Sequence, residues 1–145
     1  MQRLNYAAVI VAGIAYWLIQ AVWYSVLSQQ WIAATGVNPA DAPKGAAMAV
    51  PFVGSLICDI IVACALAWVL TRTGRTTAVA GAITGAALSI GFVATGLMTQ
   101  YLFEQRPRAL FYINAGCTLI GMTVTGAIVG AWQRSGSRDA RGVAA

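Results

Sequence analysis

The sequence predicts an all-α fold, a bundle of four transmembrane helices in up-down order. The first observation is composition, because 59% of the 145 residues are hydrophobic and only 9% are charged. An ordinary soluble domain carries about a quarter charged residues. The second is a mean hydropathy of +0.73. The third is the spacing of the charges, which leaves uncharged stretches long enough for the roughly 20 residues that a helix needs to cross hydrocarbon.

The uncharged stretches define the predicted elements in order. The four spans are Tyr6–Leu27, Met48–Leu70, Ala78–Leu102 and Leu110–Trp132. Helices are favoured over a barrel because apolar runs in the chain do not alternate, as barrel strands would. Short links after the second and third spans favour antiparallel neighbours. We therefore expect one transmembrane domain over residues 1–132 and a basic, disordered, cytoplasmic tail over residues 133–145.

The ends of the first two spans carry local signals. The first apolar run exceeds the roughly 7–15 residues that are typical of a signal-peptide core, so we interpret it as a retained helix. Asn5 precedes this run and suits a helix N-cap. Between the first two spans lies the one long connection, from Ser28 to Gly45, in which Asp41 and Pro43 are expected to begin the second helix.

The distribution of basic residues predicts the orientation. Lys44, Arg106 and Arg108 fall on one side of the membrane. The other side holds six: Arg3, Arg72, Arg75, Arg134, Arg138 and Arg141. The positive-inside rule then places both termini in the cytoplasm of a multi-pass inner-membrane protein, with the lipid bilayer as its partner. Because the arginines are scattered, a nucleic-acid partner is not expected.

The composition also limits the chemistry. The chain has no His and three Cys, which excludes His-dependent catalytic triads and makes a zinc site or a disulfide framework unsuitable. No nucleophile–base pair or cofactor motif is present. We therefore expect no enzymatic activity, no catalytic residue, no cofactor and no bound metal.

Asp59 is the main anomaly, an acid near the middle of the second span with no Lys or Arg inside any span to pair with it. An ionised Asp there costs about 2.5–3.5 kcal/mol on insertion scales. Two interpretations stay open. Asp59 is a proton or cation relay, or it is a protonated acid that is hydrogen-bonded between helices or to a partner subunit. The expected partners at its depth are Tyr16, Gln20 and Ser55.

A second group of polar and aromatic residues lies at matched depth in the outer half of the bundle. It could line a pocket that is open to the outside, with amide and phenol groups orienting a ligand. The alternative is an ordinary interfacial belt of aromatic side chains with snorkelling arginines. The candidate pocket residues are Gln20, Trp23, Tyr24, Gln100, Glu104, Arg106, Tyr112 and Asn114.

Small residues recur at helical spacing in the last two spans. Gly81 and Gly85 are four residues apart, as are Gly126 and Gly130. This spacing lets helix backbones approach closely in lipid. It favours packing within the chain over a dedicated dimer seam.

Several segments together resemble a known family. They are Gly91–Thr95, Leu102–Pro107, Leu110–Gly116 and Gly126–Trp132, with Asn5, and with Trp23-Tyr24-Ser25 followed by Trp31. The chain is similar, roughly from Asn5 to Trp132, to the bacterial membrane family catalogued as domain of unknown function 1761. The resemblance implies a four-helix integral membrane protein and no particular reaction.

The family pattern also bears on single residues. It picks out Trp23, Tyr24, Glu104, Arg106, Asn114 and Trp132. The sequence departs from it where Gln20 replaces a small residue and where Cys117 stands in place of a Tyr. Asp59 matches no position of the pattern, which favours Glu104 and Asn114 over Asp59 as the functional centre.

Two functions remain in view. The first is a non-catalytic accessory or scaffold protein of the membrane, as a homo-oligomer or within a larger complex. Four short helices favour it, because they leave little room for a gated path. The alternative is a small transporter or permeation protein that uses the outer pocket, with Asp59 as the proton-coupling acid. Any small-molecule ligand is unknown at this point.

Overall fold

The computed structural model describes residues 4–132. The helices are α1 (Tyr6–Val26), α2 (Ser28–Thr35), α3 (Ala49–Arg72), α4 (Ala78–Leu88), α5 (Thr95–Phe103) and α6 (Arg108–Trp132). A π-helical turn over Ser89–Ala94 joins α4 to α5, so these three segments form one continuous third span. The predicted disordered tail, residues 133–145, lies outside the described residues.

The structure confirms the all-α class. Four helices are long and apolar enough to cross a membrane: Tyr6–Val26, Gly45–Arg72, Ala78–Phe103 and Arg108–Trp132. Their ends differ from the expected ones by at most three residues. Which end faces the cytoplasm stays a prediction. We call the end with residues 27–48 and 104–107 the loop end, and the end with residues 4–5, 73–77 and 132 the termini end.

Helix starts follow capping chemistry, with one expectation confirmed and one wrong. Asn5 caps α1, because its Oδ1 accepts a hydrogen bond from the backbone N–H of Ala8 at 3.3 Å. Asp41 does not cap α3. It ends a short 3₁₀ turn that Asn38 caps, and a second 3₁₀ turn over Gly45–Met48 leads into α3. Asn38 followed by Pro39 starts a turn of its own. Asp41 belongs to this turn, which ends well before α3 begins.

The long connection is more ordered than the sequence predicts. It contains α2, which follows α1 after Leu27 alone and ends at Gly36 in the left-handed conformation, with φ 71°. Trp31 of α2 makes an edge-to-face contact with Tyr24 of α1, with ring centroids 6.3 Å apart. The loop end of the bundle is therefore partly covered by helix and aromatic side chains.

The fourth span, α6, is the centre of the bundle. It packs against α4, α1 and α3, and α1 packs against α3, whereas α3 and α4 barely touch. Among the four spans α6 is the most buried and the third span the least. In the termini half, the α1–α3–α6 contacts form an apolar core of Val9, Ala12, Ala63, Ala67, Leu70 and Val129.

Glycines join α4 to α6 within the chain, as the spacing of small residues predicts. A Cβ at Gly81 would overlap the carbonyl oxygen of Gly126, and a Cβ at Gly85 would overlap that of Met122. The converse also holds, because a Cβ at Gly126 would overlap the carbonyl oxygen of Gly81. The two backbones therefore touch directly, and only residues without a side chain permit this approach.

Candidate functional site

Asp59 lies near the middle of α3. Its side chain is only 3% exposed. The Gln20 side chain of α1 donates a hydrogen bond from Nε2 to Asp59 Oδ1 at 2.7 Å. The other carboxyl oxygen, Oδ2, is buried without a hydrogen-bond partner among the described residues. Buried polar atoms are rarely left unpaired, so this oxygen marks a place where a proton or a ligand could bind.

A cleft opens beside this carboxyl, between the loop-end halves of α1 and α3. Its volume is about 460 Å³, and we call it the α1–α3 cleft. Its walls include Trp17, Gln20, Tyr24, Pro51, Phe52 and Ser55. Since Gln20 both lines the cleft and bonds Asp59, its amide separates the cleft from the buried acid. Small-molecule sites commonly fall in this size range.

The cleft arises from two helix faces with the same spacing. On α1, Trp17, Gln20 and Tyr24 follow one another at steps of three and four residues and so share a face. On α3, Phe52 and Ser55 precede Asp59 at the same steps. The sequence interpretation missed Trp17 and Phe52 as site residues. Their helical spacing from Gln20 and from Asp59 was the signal that could have found them.

Trp17 fixes the base of the cleft. Its indole Nε1 donates to the carbonyl oxygen of Phe52 and to Oγ of Ser55, both at 3.1 Å. The Trp17 and Phe52 rings also meet edge to face, with centroids 6.4 Å apart. Ser55 is therefore engaged with Trp17 rather than with Asp59. Of the three partners expected for Asp59, Gln20 makes the hydrogen bond.

A second polar group joins three spans at one level. Tyr24 of α1 donates from its hydroxyl to Asn114 Oδ1 of α6 at 2.9 Å. Asn114 in turn donates from Nδ2 to the hydroxyl of Tyr101, in the third span, at 2.7 Å. Asn114 thus uses both ends of its amide to connect its neighbours. We call Tyr24, Asn114 and Tyr101 the amide–phenol bridge. Tyr24 also lines the α1–α3 cleft, so the bridge forms part of its wall.

Trp23 has a packing role. Its indole Nε1 donates to the backbone carbonyl of Ile113 at 3.0 Å. Its ring lies against Gly116, where a Cβ would come within 3.1 Å of Trp23 Cζ2. Trp23 is thus held against α6 and is absent from the cleft lining.

The remaining predicted pocket residues lie apart from the cleft. Glu104, at the turn between the third span and α6, accepts hydrogen bonds from Gln100 at 2.8 Å and from Arg106 at 3.0 Å. These bonds, together with the charge of Arg106, lower the pKa of the exposed Glu104 carboxyl. Tyr112 is 69% exposed and contacts Phe111 edge to face. This group is a surface feature of the loop end.

The eight predicted pocket residues are thus divided between two places. Gln20 and Tyr24 line the α1–α3 cleft, with Asn114 and Trp23 behind it on the α6 side. Around the turn between the third span and α6 lie Gln100, Glu104, Arg106 and Tyr112. Within residues 4–132, no three His, Cys, Asp or Glu side chains come together in a metal-binding group.

The arrangement can bind a solute and a proton side by side. The cleft is lined by aromatic rings and by three serines, and the buried acid lies one glutamine amide away. A carboxyl group inside an apolar span can carry a proton or, once ionised, pair with a cation, because either arrangement leaves the site neutral.

Four helices that are long and apolar enough to cross a membrane are the feature that characterises multi-pass helical membrane proteins. The chain belongs to the family described as Protein of unknown function (DUF1761), whose model matches residues 7–130. That match includes both the α1–α3 cleft and the amide–phenol bridge. The chain matches no curated protein and no solved structure.

Proposed function

We propose that this protein is a small, non-enzymatic membrane carrier that binds an organic cation in the α1–α3 cleft and exchanges it for a proton at Asp59. The observation that carries the proposal is the unpartnered Oδ2 of Asp59, buried in the middle of an apolar helix beside a cleft. Intramembrane acids are costly in lipid, and those that persist mark ion or proton pathways.

The walls of the cleft suit a cation with an apolar body. Trp17, Phe52 and Tyr24 present aromatic rings. The faces of such rings attract cations by about 1 kcal/mol each. Among the described residues, no Lys or Arg lines the cleft. A positive group in this cleft is therefore attracted by the rings and by the acid behind them, whereas an anion meets no positively charged side chain among the residues that line the cleft.

The exchange has a simple balance. Without solute, Asp59 carries a proton, and its carboxyl group keeps the hydrogen bond from Gln20. When a cation enters, the Gln20 amide turns aside, the carboxylate pairs with the cation, and one proton leaves. Release of the cation on the other side reverses the step. A neutral site results in both states, which avoids an unpaired charge in hydrocarbon.

Proton release on binding tests the proposal directly. Tetraphenylphosphonium, a lipophilic cation that cannot itself release a proton, is added to purified protein in weakly buffered neutral detergent with a pH indicator. We expect wild-type protein to release up to one proton per bound cation and Asp59→Asn to release none. Asp41→Asn is the matched control, because Asp41 lies in the exposed loop connection outside the spans, and it should behave as wild type.

Equal proton release from Asp59→Asn and wild type would contradict the role of Asp59. Wild-type protein that binds the cation without releasing a proton would contradict the exchange. If no cation binds and the protein purifies with a stoichiometric partner, the accessory or scaffold role replaces the carrier.

We also propose that the carrier lies in a bacterial inner membrane with both termini in the cytoplasm. The side that holds the termini carries six basic residues and the opposite side carries three, which supports this orientation. Cleavage at Arg72 by protease added outside intact cells would contradict it.

A further inference from the structure

A second cavity, which shares no lining residue with the α1–α3 cleft, lies at the loop end between the third span and α6. It is a groove of about 270 Å³. Met98, Leu102 and Phe111 form its apolar part, and Arg106, Arg108 and Tyr112 give it polar and cationic groups. We call it the arginine groove. Its residues come from both sides of the turn that joins the two helices.

The charges around the groove leave one cation uncompensated. Arg106 uses Nε to bond Glu104 Oε2 at 3.0 Å, so this pair is close to neutral. Within the described residues Arg108 forms no ion pair, and no acid lines the groove. The net charge near the groove is therefore about one positive unit, which matches the single negative charge of one phosphodiester.

The turn that carries the arginines is held in place. Gln105 adopts the left-handed conformation, with φ 54°. The N–H of Arg106 donates to the carbonyl of Tyr101 at 3.0 Å, and the ring of Pro107 fixes the backbone at the next position. Because little conformational freedom remains, a ligand binding here loses less free energy to ordering the turn.

The groove lies at the boundary of the hydrocarbon region. The third span ends at Phe103 and α6 begins at Arg108, which puts both guanidinium groups at the headgroup level. Leu102 is 69% exposed, and Met98 lies one turn deeper on the same helix. An apolar strip thus continues from the cationic end of the groove toward the middle of the membrane.

We infer that the arginine groove binds an anionic phospholipid, with its phosphodiester between Arg106 and Arg108 and an acyl chain along Leu102 and Met98. Basic pockets between transmembrane helices bind anionic lipid headgroups, and Arg106 and Arg108 give this groove the same charge. The apolar strip favours a lipid over a free phosphate ion, which would use only the cationic end.

Lipid-dependent stabilisation tests the inference. Purified full-length protein in neutral detergent is titrated with phosphatidylglycerol, with phosphatidylcholine and with inorganic phosphate, and the thermal midpoint is followed. We expect stabilisation by phosphatidylglycerol, much less by phosphatidylcholine and none by phosphate. In the double variant Arg106→Gln/Arg108→Gln, the phosphatidylglycerol concentration needed should rise about thirtyfold, because two cations near the surface are lost.

The matched control removes two arginines from the opposite end. Arg72 lies over the Trp68 ring, 5.6 Å from its centroid, and Arg75 is in the same short link. Arg72→Gln/Arg75→Gln should keep the wild-type response, since the arginine groove is intact. Should the first double variant fail to fold, Arg108→Gln alone is expected to raise the required concentration about fivefold.

Three results would overturn the inference. Equal stabilisation by inorganic phosphate would reduce the groove to a free-anion site. Equal stabilisation by phosphatidylcholine would remove the preference for anionic lipid. Equal losses in the two double variants would show that bulk surface charge, and not the groove, attracts the lipid. None of these results bears on proton release at Asp59.

Discussion

The two helix pairs of the bundle are built in opposite ways. Between α4 and α6 the backbones touch at Gly81, Gly85 and Gly126, with no room for a methyl group. Between the loop-end halves of α1 and α3 the backbones stand apart, and aromatic and polar side chains surround a cleft of about 460 Å³. Between α4 and α6, stability depends on how closely the two backbones fit together. Between α1 and α3, side-chain hydrogen bonds hold helices that leave space for a ligand.

The difference between the pairs indicates where this fold can change shape. Close backbone packing in lipid has one good arrangement, because any shift loses contacts along the whole seam. The Gln20–Asp59 hydrogen bond, by contrast, can break when one side chain rotates. We therefore expect α4 and α6 to move as one unit, and the α1–α3 cleft to be the adjustable part.

Disrupting the glycine contact between α4 and α6 should have the largest effect on stability. Gly81→Ala places a methyl group on the carbonyl oxygen of Gly126, and we expect a loss of about 3 kcal/mol in the free energy of unfolding. Gly96→Ala is the matched control in the same span, because a Cβ there has open space. It should be neutral or stabilising by up to about 1 kcal/mol. Unfolding in mixed micelles, followed by circular dichroism, measures both. Equal free energies of unfolding for the two variants would contradict the direct backbone contact between α4 and α6.

Removing the amide–phenol bridge should have a smaller effect. Asn114→Leu leaves the hydroxyls of Tyr24 and Tyr101 without their shared partner. We expect a loss of about 1 kcal/mol, since hydrogen bonds between helices in lipid contribute about 0.6 kcal/mol each. Gln100→Leu removes an exposed amide whose one side-chain hydrogen bond within residues 4–132 goes to Glu104 of the adjoining turn. This control should stay within about 0.5 kcal/mol of wild type. The same unfolding assay applies. A harmless Asn114→Leu would mean that apolar packing alone joins α1 to α6.

The smallest expected effect concerns Glu104 and pH. Its folded-state pKa lies below the ordinary value of 4.5, so its bonds to Gln100 and Arg106 stabilise the fold above that pH. This contribution is lost as the pH falls through the lowered pKa, and it is small because the ion pair lies at the exposed surface. Thermal midpoints of wild type and Glu104→Gln should therefore differ at neutral pH and converge in strong acid. A constant difference at every pH would argue against the ionised carboxylate as the source.

The level of each side chain along the bundle could be predicted from the sequence, whereas which of the side chains at one level touch could not. Counting residues from the span ends put Tyr24 and Asn114 at similar levels, and these two side chains meet. The same count put Gln100 and Tyr112 at those levels, yet both face outward at the surface. Depth depends only on position along a helix, whereas contact depends also on how each helix is rotated about its axis.

Trp17 shows why composition alone does not identify the residues of a cleft. Its hydrophobicity fits any position in an apolar span, so composition gave no reason to place it in a cleft. Only its spacing from Gln20 and the approach of α3 make it a wall of the site and a hydrogen-bond donor to Ser55. For Asp59 the charge alone was enough to mark the residue as unusual and its depth gave three expected partners, of which the structure shows Gln20 making the hydrogen bond.

The sequence by itself determined that the chain forms four apolar helices, because hydropathy and the gaps between charges are properties of the linear chain. It also determined that one acid lies within an apolar helix and that two helices carry glycines at close-packing spacing. The tertiary structure decided which faces meet, and so separated the α1–α3 cleft from the arginine groove. Helices that are apolar on all sides are not oriented by water. Their rotation is set by backbone contacts such as Gly81 with Gly126 and by polar pairs such as Gln20 with Asp59, which exist only after the helices pack.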